Sequence, residues 1–229
     1  MGPPKFWSPA RSVVTSRPLT EVLLGAFRGS ITFSKFHVRG ELPADFRDRF
    51  VEAIRMRAFR ELDPSEELDS RTGWCSIEHP FDLDLQHENV FFGDYLNLGL
   101  RTDTWRIPSS LFKASFRDAE RAYLAEHGAE KLSRTQKKNL EALVSAKLRH
   151  KVVPAMSTVD LSWGLGEGVV RFFQQSPKQH EVMTDLFEKT FELELVPDGA
   201  YVAAEKRGLA ETLLDKLPTL TPLTLVAAP

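Results

Sequence analysis

The chain reads as an α+β fold, a mixed or antiparallel sheet with helices on one face and a basic helical hairpin projecting from it. Three observations predict this. Runs of alternating apolar residues recur along the chain and stop at Pro and Gly. Between them lie stretches whose apolar residues return at helical spacing. Within residues 131–151, seven Lys and Arg (Lys131, Arg134, Lys137, Lys138, Lys147, Arg149, Lys151) meet one acid, Glu141, so this stretch is +6 in a chain of net charge −2 and the remainder carries −8. Such a lopsided field points to a polyanionic partner rather than to a requirement of folding.

Residues 1–29 hold Pro3, Pro4, Pro9 and Pro18 among scattered cations with no sustained periodicity, the composition of a disordered arm or of a start placed too far upstream. Residues 31–38 (Ile31, Phe33, Phe36, Val38) predict a strand buried largely on both faces. Pro43 suits a first helical turn, with Asp45 and Asp48 near the positive end of the dipole. Phe46, Phe50, Ala53 and Ile54 then follow helical spacing, giving a helix over 43–58. An acidic loop follows at 63–71, and Gly73-Trp74-Cys75-Ser76-Ile77 opens a short strand that stops near Pro80. Residues 81–89 read as a polar connection rich in acids.

The longest strand is predicted over 95–107, where Tyr95, Asn97, Gly99 and Arg101 alternate with Leu96, Leu98 and Leu100. Pro108 ends it and opens a helix with apolar face Leu111, Phe112, Phe116, Ala119 and Tyr123, which Gly128 breaks. Ser133 with Gln136 three residues on is a capping-box pattern for a second helix, whose apolar face is Leu140, Leu143, Val144 and Leu148. These two make the hairpin, 108–151. A β-hairpin follows (157–163, then 169–173, around Gly164-Leu165-Gly166-Glu167-Gly168), then a helix over 178–190 and a short strand at 193–196. The domain is thus expected to span 30–199. After Pro197 a weak helix at 207–217 and a proline-rich, weakly structured tail over 200–229 are expected to add little to the core.

With 42% apolar, 10% aromatic and 27% charged residues, the 229-residue chain has core material for a soluble globular protein. No stretch approaches a membrane span. Cys75 is the sole cysteine, which excludes an internal disulfide and fits a reducing, cytoplasmic setting. The six histidines lack the close spacing of a metal site, and no cofactor is expected.

On a helical wheel Lys131, Arg134, Lys138 and Arg149 share one face, Lys137 borders it, and Lys147 and Lys151 lie nearer the apolar side. A solvated charged face is the ordinary alternative. Against it, partner acids at i,i+4 are nearly missing, and Lys137 and Lys138 sit in the first turns, where the dipole disfavours cations. A second candidate group is Arg101, Arg106, Lys113, Arg117 and Arg121, interleaved with Asp103, Asp118 and Glu120. Trp105 could stack on a base, while Trp74 beside Gly73, Trp163 and Cys75 read as core residues. Asp82 and Asp84, with Glu88 and Asp94 nearby, form the one cluster that could hold a catalytic Mg²⁺, but no P-loop, nucleophile motif or acid–base pair accompanies them.

The order of segments resembles the recombination-associated RdgC family of bacterial DNA-binding proteins. The correspondence runs from residues 33–38 through Gly73-Trp74, residues 98–101 and Arg106-Ile107-Pro108-Ser109. It continues with the basic hairpin ending at Pro154, the strand 159–163, Gly168-Val169-Val170 and the closing Leu195-Val196-Pro197, covering 31–199. The resemblance implies a cytoplasmic, nucleoid-associated protein that binds single- or double-stranded DNA without sequence preference. It also implies that the protein restrains a RecA-type recombinase by occluding DNA, and forms a homodimer that rings the duplex with basic residues. The chain ends soon after Pro197, where longer members continue, so it reads as a C-terminally truncated relative. Two other classes stay open: a metal-dependent nuclease using Asp82 and Asp84, and a module docking an acidic protein partner.

Overall fold

A computed structural model describes residue 26 and residues 32–220. Apart from Ala26, the arm expected over 1–29 lies outside the described residues, as do Ile31 of the first predicted strand and the end of the tail. The elements are β1 (Ser34–Arg39), α1 (Phe46–Met56), β2 (Ser70–Cys75), α2 (His87–Val90), β3 (Phe91–Phe92), β4 (Tyr95–Thr104), α3 (Ser109–His127) and α4 (Arg134–Arg149). They continue with β5 (Ala155–Gly164), β6 (Val169–Phe172), α5 (Pro177–Phe191), β7 (Glu194–Pro197), α6 (Ala200–Lys206), α7 (Glu211–Leu214) and a 3₁₀ turn, Leu217–Thr219.

The seven strands form one sheet in the order β2-β4-β5-β6-β1-β7, with β3 beside the start of β4. Every strand pair is antiparallel, and the sheet curls into a half-barrel. The one parallel feature is an isolated bridge between Ala58 and Trp74. Of the two sheet types expected, the structure takes the antiparallel one.

Strand alternation sends one set of side chains to the helix-covered face. Cross-strand register builds it in rows: Trp74 beside Leu100 beside Val159, Leu98 beside Leu161 beside Phe172, and Leu96 beside Trp163 beside Val170 beside Phe36. Helices α1 and α5 cover these rows with Phe50, Ile54, Met183, Phe187 and Phe191. The Phe50 ring lies 5.6 Å from Trp163 and 4.9 Å from Phe191. The two helices thus lie on one face as expected. Each fully buried large side chain here contributes about 1.5–3 kcal/mol.

Gly73 is required by a close backbone approach. A Cβ there would lie 2.5 Å from Phe59 Cα, because residues 57–59 run against β2, with Trp74 N donating to Arg57 O at 3.0 Å and Phe59 N to Trp74 O at 2.7 Å. Trp74 itself is fully buried and its indole N–H donates to Thr190 Oγ1 at 2.9 Å.

The opposite face is polar, with Asn97, Arg101, Asp103, Asp160, Ser162, Arg171 and Lys35 on neighbouring strands. Near β1 it is tied to the C-terminal region. Lys206 Nζ donates to His37 Nδ1 at 2.7 Å, so the His37 Nε2–H donates to Asp198 Oδ1 at 2.8 Å. That bond, with Lys35 close by, holds the Asp198 carboxyl below the usual carboxylate range.

Four local expectations differ. The long strand ends at Thr104, not Ile107. Residues 81–89 were expected to be wholly a connection, yet His87–Val90 makes one helical turn, closed by a reciprocal Gln86–Asn89 capping box, and leads directly into β3. Both pieces are too short for periodicity to reveal. In the tail, the helix expected over 207–217 shortens to α7, and α6 forms just before that range, separated from α7 by Gly208 at φ +74°. Val202 of α6 and Leu214 of α7 are buried, so this region does contribute to packing.

Candidate nucleic-acid interface

Helices α3 and α4 connect the end of β4 to the start of β5, and these ends are paired, Thr104 beside Ala155. The helix pair therefore sits at the tip of the longest strand pair. Gly128 at φ +58° takes the left-handed conformation that ends α3. Ser133 caps α4 as its spacing predicts: Ser133 Oγ accepts from Gln136 N at 3.3 Å while Gln136 Oε1 accepts from Ser133 N at 2.8 Å.

The two helices pack on each other. Only Val144 and Leu148 of α4 are buried, and α3 has no buried residue along its 19 positions. Leu143, expected on the apolar face of α4, is 66% exposed. It precedes Val144 by one residue, about 100° of rotation, and the contact on α4 is too narrow to reach it.

Of the ten cations expected to contact DNA, eight are exposed: Arg106, Lys113, Arg117, Lys131, Arg134, Lys137, Lys138 and Lys151. None of the eight joins an ion pair among the described residues. Lys113 and Arg117, with Arg121, recur every fourth residue and so share one side of α3 over about 12 Å. Arg134 and Lys138 do the same on the first turns of α4.

The other two are engaged inside the protein. Arg101 is 6% exposed; its Nε and Nη2 donate to the two Asp103 oxygens at 3.0 and 2.7 Å, and its guanidinium lies 4.0 Å from the Phe59 ring centre. The carboxylate bonds raise its pKa further. It faces the sheet's polar side because residues 101 and 103 share a face of β4. Arg149 turns from the outward row into loop 61–69, donating to Glu66 O at 2.9 Å and pairing with Asp69. Neither has a donor fork free for phosphate.

Sequence reasoning did not find Asp69 or Glu66 as partners of Arg149, which lie some eighty positions away in the chain. The Asp103 partner did leave a signal, since two residues apart on a strand means one face. Trp105 is half-buried, and its side chain lines a cleft of about 510 Å³ together with Ile107, Glu67, Asp69, Ser145 and Arg149.

The acidic residues Asp82 and Asp84 serve local geometry. Asp82 Oδ1 accepts from Asp84 N at 2.9 Å, and Asp84 Oδ1 accepts from Gln86 Nε2 at 2.7 Å. Among the described residues no group of three or more His, Cys, Asp or Glu is placed to hold a metal ion. Cys75 is fully buried with its thiol pushed up to about 12 by desolvation, so it is an inert packing group. No helix among the described residues is long and apolar enough to cross a membrane. The chain matches no protein-family model and no curated protein.

Proposed function

We propose that the chain is a DNA-binding protein of RdgC type that contacts the phosphate backbone through a projecting basic hairpin, α3–α4. One observation carries this: eight exposed cations around the hairpin lack ion-pair partners among the described residues, whereas Arg101 and Arg71 on the sheet, and Arg149 at the end of α4, are engaged by carboxylates. Unpaired cations on a helix pair with little buried surface add nothing to folding, and they are what counterion release requires. Binding in this reading is independent of sequence, because the exposed row is dominated by Lys and Arg suited to phosphate, and Gln136 is engaged in the Ser133 capping box. The resemblance extends the proposal to a nucleoid-associated role, occluding DNA from a recombinase.

The test is fluorescence anisotropy with labelled duplex and single-stranded DNA over a salt series. If Lys131, Arg134, Lys138 and one further cation each neutralise a phosphate, log affinity falls with log salt at about −0.9 per phosphate, a slope of roughly −4. Arg134→Ala with Lys138→Ala lowers that slope by about two for every sequence tested. Unchanged affinity and slope in this double variant remove the hairpin as the DNA site. The reading then favoured is a hairpin that docks an acidic protein. The partly exposed row on α3, Leu111 at 38% with half-buried Phe112, Phe116 and Tyr123, gives such a partner, or a second copy in a homodimer, an apolar strip to cover. Sedimentation at micromolar concentration reads the dimer directly.

A further inference from the structure

Loop 61–69 carries Glu61, Asp63, Glu66, Glu67 and Asp69 and no cation. It lies against the root of α4, where Arg149 donates to Glu66 O at 2.9 Å and pairs with the Asp69 carboxylate. We propose that this contact is autoinhibitory: the loop occupies Arg149 as a built-in counterion and keeps a polyanion off the base of the α3–α4 pair. The inference rests on the nucleic-acid reading above.

The loop does not need Arg149 to hold its shape. Arg71, just after it on β2, braces it by donating to Glu61 O at 2.8 Å and pairing with the Glu66 carboxylate. The backbone N–H of Trp105 pins it to the end of β4 by donating to Asp69 O at 3.0 Å. The loop backbone and the Glu66 carboxylate are therefore held without Arg149, and this sets Asp69 beside it. The exposures of the pair are unequal: the Arg149 side chain is 14% exposed and that of Asp69 is 86% exposed. Solvent, and any phosphate arriving from it, meets the carboxylate first. Glu67 extends the negative rim along the cleft between loop and helix.

Two consequences follow. A cation already neutralised by a fixed carboxylate releases no counterion on binding and adds nothing to the salt slope. A phosphate can gain Arg149 only by displacing Asp69. In the parent protein, DNA is thus directed to the exposed cations at the far end of the helix pair, Lys131 to Lys138, rather than to Arg149 at its root.

The experiment is anisotropy of the full chain with a labelled duplex of inorganic-salt-exchanged DNA across a salt series, using Arg149→Ala in two backgrounds. Alone, Arg149→Ala is expected to shift affinity by less than about twofold and leave the slope unchanged. Asp69→Asn with Glu67→Gln, both exposed positions, is expected to tighten binding by about threefold or more and steepen the slope by about one unit. Adding Arg149→Ala to that pair is expected to return affinity and slope toward the parent. An equal loss from Arg149→Ala in both backgrounds overturns the proposal, as does a loop variant with parental affinity and slope. Arg134→Ala with Lys138→Ala is run alongside. If that variant binds as the parent does, the nucleic-acid reading itself fails; if it weakens binding while the loop variants change nothing, only the autoinhibitory contact fails.

Discussion

Arg101 on β4 and Arg134 on α4 are separated by one helix and treated oppositely. Arg101 is 6% exposed, holds both oxygens of Asp103 and stacks on Phe59, while Arg134 is exposed and has no ion-pair partner among the described residues. The same division runs through the two regions. In the sheet body, side chains are closed over one another: the aromatic rows meet α1 and α5, Trp74 finds Thr190, and His37 is saturated by Lys206 and Asp198. In the α3–α4 pair, one helix has no buried residue and the other has two. The contrast teaches that charge alone does not tell which cations are available to a partner. Availability depends on charge left without an internal partner on an element that folding leaves open.

The sharpest way to break the contrast is to unpair a body cation. Asp103→Ala leaves the Arg101 guanidinium buried without its carboxylate, and such uncompensated charges cost about 3–5 kcal/mol. Denaturant unfolding should show that loss, whereas Arg134→Ala should stay within about 0.5 kcal/mol of the parent. A neutral Asp103→Ala would mean that Arg101 reaches water and belongs with the open cations after all. A parallel pair tests apolar residues. Leu161, fully buried in the core rows, is expected to cost about 2–5 kcal/mol on replacement by Ala. Leu143, 66% exposed on α4, should cost less than about 0.5 kcal/mol by the same change.

The distinction between regions was only partly legible in the sequence. Local chemistry read through cleanly: the Ser133–Gln136 capping box and the Gly128 stop are each set by residues a few positions apart. Alternation predicted over residues 95–107 and 157–163 also located the two longest strands, though the first stops at Thr104, since period two survives whatever the partner strand is. Charge occupancy did not read through. Arg149 looked like its neighbours on the wheel because its partner Asp69 is brought to it by the sheet, not by the helix. Arg101 was half legible, as Asp103 lies on its own strand face, but burial by Phe59 comes from a bridge between residues 57–59 and β2 that no periodicity announces. Short elements such as α2 and β3 escape because four and two residues hold no period.

The capping box offers a test confined to the open region. Ser133→Ala removes the side-chain acceptor for Gln136 N and should cost about 1 kcal/mol. Because α4 has little buried surface, amide exchange should quicken across its first turns while β4 and β5 keep their protection. Equal loss of protection in the strands would show that the α3–α4 pair and the sheet unfold as one unit, and the two-region contrast would then be structural only in appearance.

The smallest expected effect lies on the polar face of the sheet, at Asp160. Burial raises its pKa, and the N–H of Ala26, donating to Asp160 Oδ2 at 2.8 Å, offsets that only in part. A carboxyl that holds its proton more tightly folded than unfolded leaves the native state with more bound protons as pH rises above the ordinary value of 3.8. Stability then falls with pH through that window and stays lower once the group is ionised in both states. Asp160→Asn keeps an oxygen to accept the Ala26 N–H and cannot ionise, so the variant should match the parent in acid and exceed it at neutral pH. Urea midpoints measured from pH 3 to 7 should therefore diverge upward from the ordinary carboxylate range. A gap of constant size, or a parent more stable at pH 7, would place Asp160 among the charges that water or a partner already compensates, on the open side of the comparison rather than the closed one.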